Sequence, residues 1–204
     1  MRLAFRQGEM DGLCGLYALV NAIALLAHHR LSSNDISELF RELIRALYRR
    51  NVRKRSKDST PLEFIWDGTS VRDISLLMET SRAFLTKRGL DLTWSRPLQG
   101  KRKPSSLQQY WDRLRSAFDE CSGRCVAIID YNFDGEDSEV GHWTCVVKVT
   151  DKAMKLSDSS LSLHCRKGLL RKSRCTIGSR TVRRPYTLFA HNVYLLQITP
   201  NESF

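Results

Sequence analysis

The sequence predicts an α+β fold in a single domain, residues 1–204. A mainly helical lobe over 1–122 packs on an antiparallel sheet lobe over 123–204. Three observations carry this. Before residue 120, apolar residues recur at helical spacing, as in Ile36, Leu39, Leu43 and Leu47. From Cys125 onward the apolar segments shorten to strand length, as in CVAIIDY, HWTCVVKVT and NVYLLQIT. The chain has 204 residues, 42% of them hydrophobic and 27% charged, enough to bury a sizeable core without staples.

The first stretch, QGEMDGLCGLYALVNAI from Gln7 to Ile23, reads as a loop followed by an apolar helix with Cys14 at its mouth. Leu16, Leu19, Val20, Ile23 and Leu26 fit a buried face. Gly12 and Gly15 flank Cys14 and permit tight turns and the close approach of another molecule. His28 and His29 fall exposed at the helix end. Asn34 or Asp35 caps a second helix, with Glu38 three residues after Asp35 and a stripe of Ile36, Leu39, Phe40, Leu43 and Leu47. The basic run Arg49–Lys57 breaks that pattern and reads as a loop, and Pro61–Gly68 is a connector.

Ser70 and Asp73 cap a third helix, with Val71, Ile74, Leu77, Met78 and Phe84 inward and Gly89 at its end. Leu90–Trp94 alternates like a short strand. Gln99–Ser106 is a loop. A fourth helix over Ser106–Glu120 turns Tyr110, Trp111, Leu114 and Phe118 inward. Strands are then expected at Cys125–Tyr131, His142–Thr150, Ala153–Asp158 (extended by Leu161–Cys165) and Asn192–Thr199. Asn132–Gly141 is an acidic loop, and Arg166–Arg184 a long loop or ragged hairpin.

The net charge of +11 is concentrated in Arg49–Lys57, Lys101–Lys103 and Arg166–Arg184. Such runs attract acidic protein surfaces, nucleic acid or anionic membrane, or serve as solvated loops. No aromatic residue interleaves Arg49–Lys57, so nucleic acid is not favoured. No run approaches the roughly 20 apolar residues of a membrane span. The start, MRLAFRQGEMDG, lacks a signal-length apolar run, so a soluble cytoplasmic protein is expected, with export that needs no cleaved signal left open. The six cysteines are therefore not expected to form a disulfide framework. Cys121, Cys125, His164, Cys165 and Cys175 lack the compact knuckle of a zinc site.

Cys14 has two readings. A small thiol in an apolar helix is often core, but a thiol at a helix N-terminus sits where the macrodipole favours a thiolate. Nucleophilic catalysis by cysteine needs a base, a group that orients the base, and donors for an oxyanion. His142 opens a strand directly after a loop, and Asp158 closes the next one. These two oppose each other across an antiparallel pair only if the turn between them is odd, centred on Thr150 with a Val149–Asp151 loop; a two-residue Asp151–Lys152 turn sets Asp158 opposite Cys145 instead. The odd turn is therefore the expectation. Trp143 either shields the His142–Asp158 bond from water or packs.

The order Gln7, Cys14-Gly15, His142-Trp143, Asp158 resembles the papain-like cysteine peptidase superfamily, nearest in look to the bacteriocin-processing peptidases and the Josephin-type deubiquitinases. The resemblance implies a papain-like fold with the active site between the two lobes. It makes Cys14 the nucleophile, His142 the general base and acid, Asp158 the residue that orients His142, and Gln7 with the Cys14 N–H the oxyanion hole. Gln7 lies slightly further before Cys14 than is usual, and Asp158 stands where papain has Asn. The implied substrate is a protein or peptide, with a ubiquitin-like protein or an acidic protein surface among the partners. No metal or organic cofactor is called for. Two rival readings stand beside it: a deamidase or transglutaminase-like effector with the same triad, and a non-enzymatic basic binding module with Cys14 as core.

Overall fold

Helix α1 (Cys14–Leu26) is apolar over most of its surface because most of it is covered, with Tyr17 and Ala24, Leu25 and Leu26 of its last turn left half-buried. Leu16, Leu19, Val20, Ala22 and Ile23 are fully inaccessible to solvent, between two further helices and the sheet. Each such leucine or isoleucine contributes roughly 1.5–3 kcal/mol by leaving water, and truncating Leu19 to Ala is expected to cost about 2–5 kcal/mol. The computed structural model describes residues 12–54, 62, 65, 68–100, 103–133, 141–157, 168–178 and 181–201.

Helix α2 (Ser33–Lys54) is capped by Ser32, two residues before Asn34 and three before Asp35, the caps that the sequence suggests. Ser32 N–H donates to Asp35 Oδ2 at 2.9 Å, and Asp35 N–H returns the bond to Ser32 Oγ at 3.1 Å. Glu38 is instead recruited by Arg88, which also holds Asp35. The helix then continues through Arg49, Arg50, Arg53 and Lys54, so the first part of the basic run is helical and not a loop. Arginine and lysine are good helix formers, and Arg50 turns inward to pair with Asp73. Helix α3 (Val71–Thr86) begins on the expected box of Ser70 and Asp73, and Gly89 closes its end with φ 68°.

Strand β1 (Leu90–Ser95) leaves the helical half and joins the sheet. Helix α4 (Leu107–Asp119) follows, capped by Ser106. The remaining strands are β2 (Cys125–Phe133), β3 (His142–Val149), β4 (Ala153–Ser157), β5 (Leu169–Arg171), β6 (Cys175–Thr176) and β7 (Tyr186–Pro200). Their order is β1-β7-β2-β3-β4-β5 with every neighbour antiparallel, and the short β6 runs parallel to β7 at its start. The fold class is thus α+β, as expected. Strand β7 is much longer than Asn192–Thr199, and β5, β6 and a 3-10 turn at Lys172–Arg174 lie inside the stretch expected as a long loop or ragged hairpin, with β5 paired to β4 and β6 to β7.

The helices do not all share one side. Val126, Ile128, Trp143, Cys145, Tyr194 and Leu196 face α1, α2 and α3. Ala127, Ile129, Tyr131, Val146, Met154 and Leu156 face α4, where Tyr110, Trp111 and Leu114 are buried. The run CVAII has no polar face to turn to water, so the sheet is covered on both sides. The Trp111 indole N–H donates to the Thr150 carbonyl at 2.6 Å and ties α4 to the β3–β4 turn.

That turn corrects the odd-loop expectation. Thr150 N–H donates to Ala153 O at 2.9 Å, which leaves Asp151 and Lys152 as a two-residue turn. The ladder starts as Val149↔Met154 and Lys148↔Lys155, then slips at a bulge to Val146↔Leu156 and Cys145↔Ser157. The bulge adds one residue to β3, and the ladder beyond it is displaced by two residues from the one in which positions 142 and 158 would oppose each other. Among the described residues, no helix is long and apolar enough to cross a membrane.

Candidate active site

Cys14 is the first residue of α1. Leu13 stands at the N-cap, where Ser, Thr, Asp or Asn is usual, and it supplies no side-chain bond to the first-turn amides. These amides point out of the helix beside Cys14. Gly15 follows because nothing larger fits: a Cβ there would lie 2.6 Å from Thr69 Cγ2 and 2.7 Å from Ile74 Cδ1. The close approach that glycine allows is therefore to the protein's own segment before α3, and not to another molecule.

Cys14 is nearly covered, at 4% exposure, and its sulfur abuts the opening of β3, more than a hundred residues away in sequence. Trp143 N–H donates to Cys14 Sγ at 3.5 Å, and the Gly141 carbonyl lies 4.0 Å from the sulfur. These two backbone groups bracket His142. The thiol is thus seated on the backbone of the strand that carries the imidazole. The His142 ring lies edge-on to Tyr131, with centroids 5.3 Å apart, in agreement with the Tyr131↔His142 register.

Three side chains hold this junction. Trp143 is buried among the helix-facing residues, and its indole N–H donates to the Thr69 carbonyl at 2.7 Å. Of its two expected roles, packing is the one described. The Thr69 hydroxyl donates to the Gly12 carbonyl at 3.3 Å, so the segment before α3 is tied both to the start of α1 and to β3. Asp130, paired with Trp143 across β2 and β3, puts Oδ1 where a Gly141 Cβ would be, 2.3 Å away. Glycine at 141 is required by that carboxyl.

Asp130 is a residue that the sequence reading missed. Its Oδ2 accepts from Asn192 Nδ2 at 2.7 Å, while its Oδ1 is buried with no hydrogen-bond partner among the described residues. Burial raises the carboxyl above the ordinary aspartate range, opposed by the Asn192 bond and by the nearby His142 and His191. Asn192 reaches it through an irregularity in β7. Ile129 pairs with Val193 and Tyr131 with Leu188, so Phe189–Asn192 is an insertion opposite Asp130. The His191 carbonyl in this insertion accepts from Gln99 Nε2 at 3.1 Å and from Arg96. A signal was present: an aspartate inside the apolar run CVAIIDY is out of place unless it is paired.

Gln7 and Asp158 lie outside the described residues. So do His164 and Cys165 of the weighed zinc set. The Cys175 thiol donates to the Arg171 carbonyl at 3.2 Å, and the Cys125 thiol, pushed up to about 12 by burial and by a bond with Cys121, is held neutral. Among the described residues no group of three or more His, Cys, Asp or Glu is placed to hold a metal ion.

No protein-family model matches the chain, and no curated protein sequence matches it. Among solved structures it is similar to the crystal structure of the peptidase domain of Streptococcus ComA, a bi-functional ABC transporter involved in a quorum sensing pathway. The identity is 12%, 96% of each chain is covered, and the TM-score is 0.44. A superposition that loose has no bearing on function, which has to be argued from the junction itself.

Proposed function

We propose that this chain is a papain-like cysteine peptidase that hydrolyses peptide or isopeptide bonds through Cys14, His142 and Asp158. The observation that carries the reading is the seating of the Cys14 sulfur at the mouth of α1 against the two peptide groups that bracket His142. A nucleophile, a helix N-terminus that the Leu13 side chain does not cap and an imidazole-bearing strand converge there from opposite ends of the chain. The third member, Asp158, is taken from the resemblance alone: past the bulge between Val146 and Lys148 the ladder pairs Cys145 with Ser157, two residues out of the register in which positions 142 and 158 would oppose each other.

In this reading the Cys14 thiolate attacks the carbonyl carbon of the scissile amide. The oxyanion is received by the Cys14 N–H and Gln7, a donor set in which one group is worth roughly 3–4 kcal/mol of barrier. His142 passes the thiol proton to the departing amine, leaving an acyl-enzyme thioester. Water, deprotonated by His142, then releases the acid and restores the thiol. Asp158 holds the His142 tautomer that makes both transfers. The substrate is a protein or peptide, with a ubiquitin-like conjugate the first choice.

The experiment has two parts. Iodoacetamide at mildly acidic pH should label Cys14 faster than a free thiol, and His142→Ala should remove that advantage. Mass spectrometry on a ubiquitin-like conjugate and on a glutamine-bearing protein then reads the product. Cleavage that is lost in Cys14→Ala supports the peptidase, and conversion of glutamine to glutamate would replace it with a deamidase. Labelling no faster than a free thiol, with neither product, overturns the reading.

A further inference from the structure

Far from Cys14, a groove of about 780 Å³ runs between the start of α4, the β3–β4 turn and β5. The eight residues of β3, at about 3.3 Å each, set it roughly 26 Å from the thiol along the strand. Leu107, Ala153 and Leu169 give it an apolar floor, and Leu169 is 40% exposed there. Lys152, Arg171, Lys172 and Arg184 stand around that floor.

The four cations come from three separate segments of chain: the turn, the β5–3-10 junction and the approach to β7. The carboxylate among the described lining residues, Asp151, is already engaged by Arg115. Lys172 is fixed in place, its ammonium donating to Gln108 Oε1 at 2.7 Å and lying 5.6 Å over the Trp111 ring. Ser106 and Ser173 add hydroxyls to the lining. Like charges gathered in one concavity repel one another unless an anion joins them. The volume falls in the range of roughly 300–1,000 Å³ typical of small-molecule sites, too small for a protein surface to enter.

We propose that this groove binds an organic polyphosphate, a small molecule with a flat apolar body on the Leu107–Leu169 floor and a chain of phosphates on the four cations. The guanidinium forks of Arg171 and Arg184 match phosphate oxygens two at a time. The lysines add point charges, and the serines add donors. The site lies on the far side of the sheet lobe from the peptidase chemistry, so it stands or falls independently of that reading.

Isothermal titration of the full chain tests it, with adenosine triphosphate and inorganic tripolyphosphate as probes and no divalent metal present. Adenosine triphosphate is expected to bind one per chain and about tenfold tighter than tripolyphosphate, because only the former covers the apolar floor. Arg171→Gln with Arg184→Gln should weaken it by about tenfold or more, with far-UV circular dichroism and the ligand-free melting temperature unchanged. Arg49→Gln with Arg53→Gln removes the same charge from the exposed side of α2 and should change binding by less than about twofold. Equal loss in the two double variants would show attraction to net charge alone and overturn the proposal. So would equal affinity for the two probes, or no heat with either.

Discussion

Replacing Gly15 by alanine tests how tightly the cysteine helix is set against its neighbours. The new methyl would lie 2.6 Å from Thr69 Cγ2, and 2.7 Å from both Thr69 Cβ and Ile74 Cδ1. The Ile74 methyl is a side-chain terminus and can rotate away, but Thr69 Cβ moves only with its backbone. Overpacking of this kind costs about 1–3 kcal/mol, and alanine returns up to about 1 kcal/mol of helix preference. The net loss is about 1–2 kcal/mol, or roughly 2–8 °C of melting temperature for a chain of this size, read by calorimetry. The displacement passes through Thr69 to Gly12 and Trp143, which it anchors, and so shifts the thiol against β3. Iodoacetamide labelling of Cys14 should therefore change together with stability. Adding Thr69→Ser, which removes Cγ2 and keeps the hydroxyl, should recover part of both. A Gly15→Ala protein that melts at the parent temperature and labels at the parent rate would refute this account of the junction.

Trp143→Phe removes the donor to the half-buried Thr69 carbonyl and should destabilise by about 1–3 kcal/mol, measured by urea titration; a smaller effect would mean that water replaces the bond. For Asp130, burial raises the folded-state value above the unfolded one, so the folded protein holds this proton longer and the residue's contribution to stability falls as pH rises between the two. Asp130→Asn should accordingly gain in melting temperature on the parent as pH rises above the ordinary aspartate range, and a constant difference would count against the buried carboxyl. Asp35 has the opposite sign. Its bonds from the Ser32 hydroxyl and Arg88 hold it down at about 2, so the stability it contributes is present above the ordinary carboxylate range and is lost as pH falls toward that value. Acid titration of Asp35→Asn should show a shallower loss over that window than the parent.

The helices were legible because their signals are local. The Ser70–Asp73 box, the Gly89 stop and the Tyr110, Trp111 and Leu114 face are each set by residues within one or two turns. What was not legible is decided across the sheet. Strand β7 was cut short at Asn192 because Phe189–Asn192 interrupts the alternation, and only the pairing with Ile129 and Tyr131 shows that the strand resumes on the other side. The turn was misplaced because the bulge in β3 leaves no mark in the sequence, and the observed ladder ends two residues away from the register that the odd loop would have set. At the site, Cys14 and the opening of β3 were named together and do meet. Asp130 was passed over because its partner, Asn192, is supplied by that same insertion, 62 residues on.

The position of β7 has a consequence for how the molecule can be assembled. It lies between β1 and β2, yet it is the strand that follows all the others in sequence. Until Tyr186–Pro200 has left the ribosome, both of those segments offer an unpaired strand edge to the solvent, and among the described residues the two halves of the chain share no ladder. Synthesis thus proceeds with two open edges that one late insertion closes at a stroke. A stall or proteolytic cut ahead of Tyr186 would release a fragment prone to self-association.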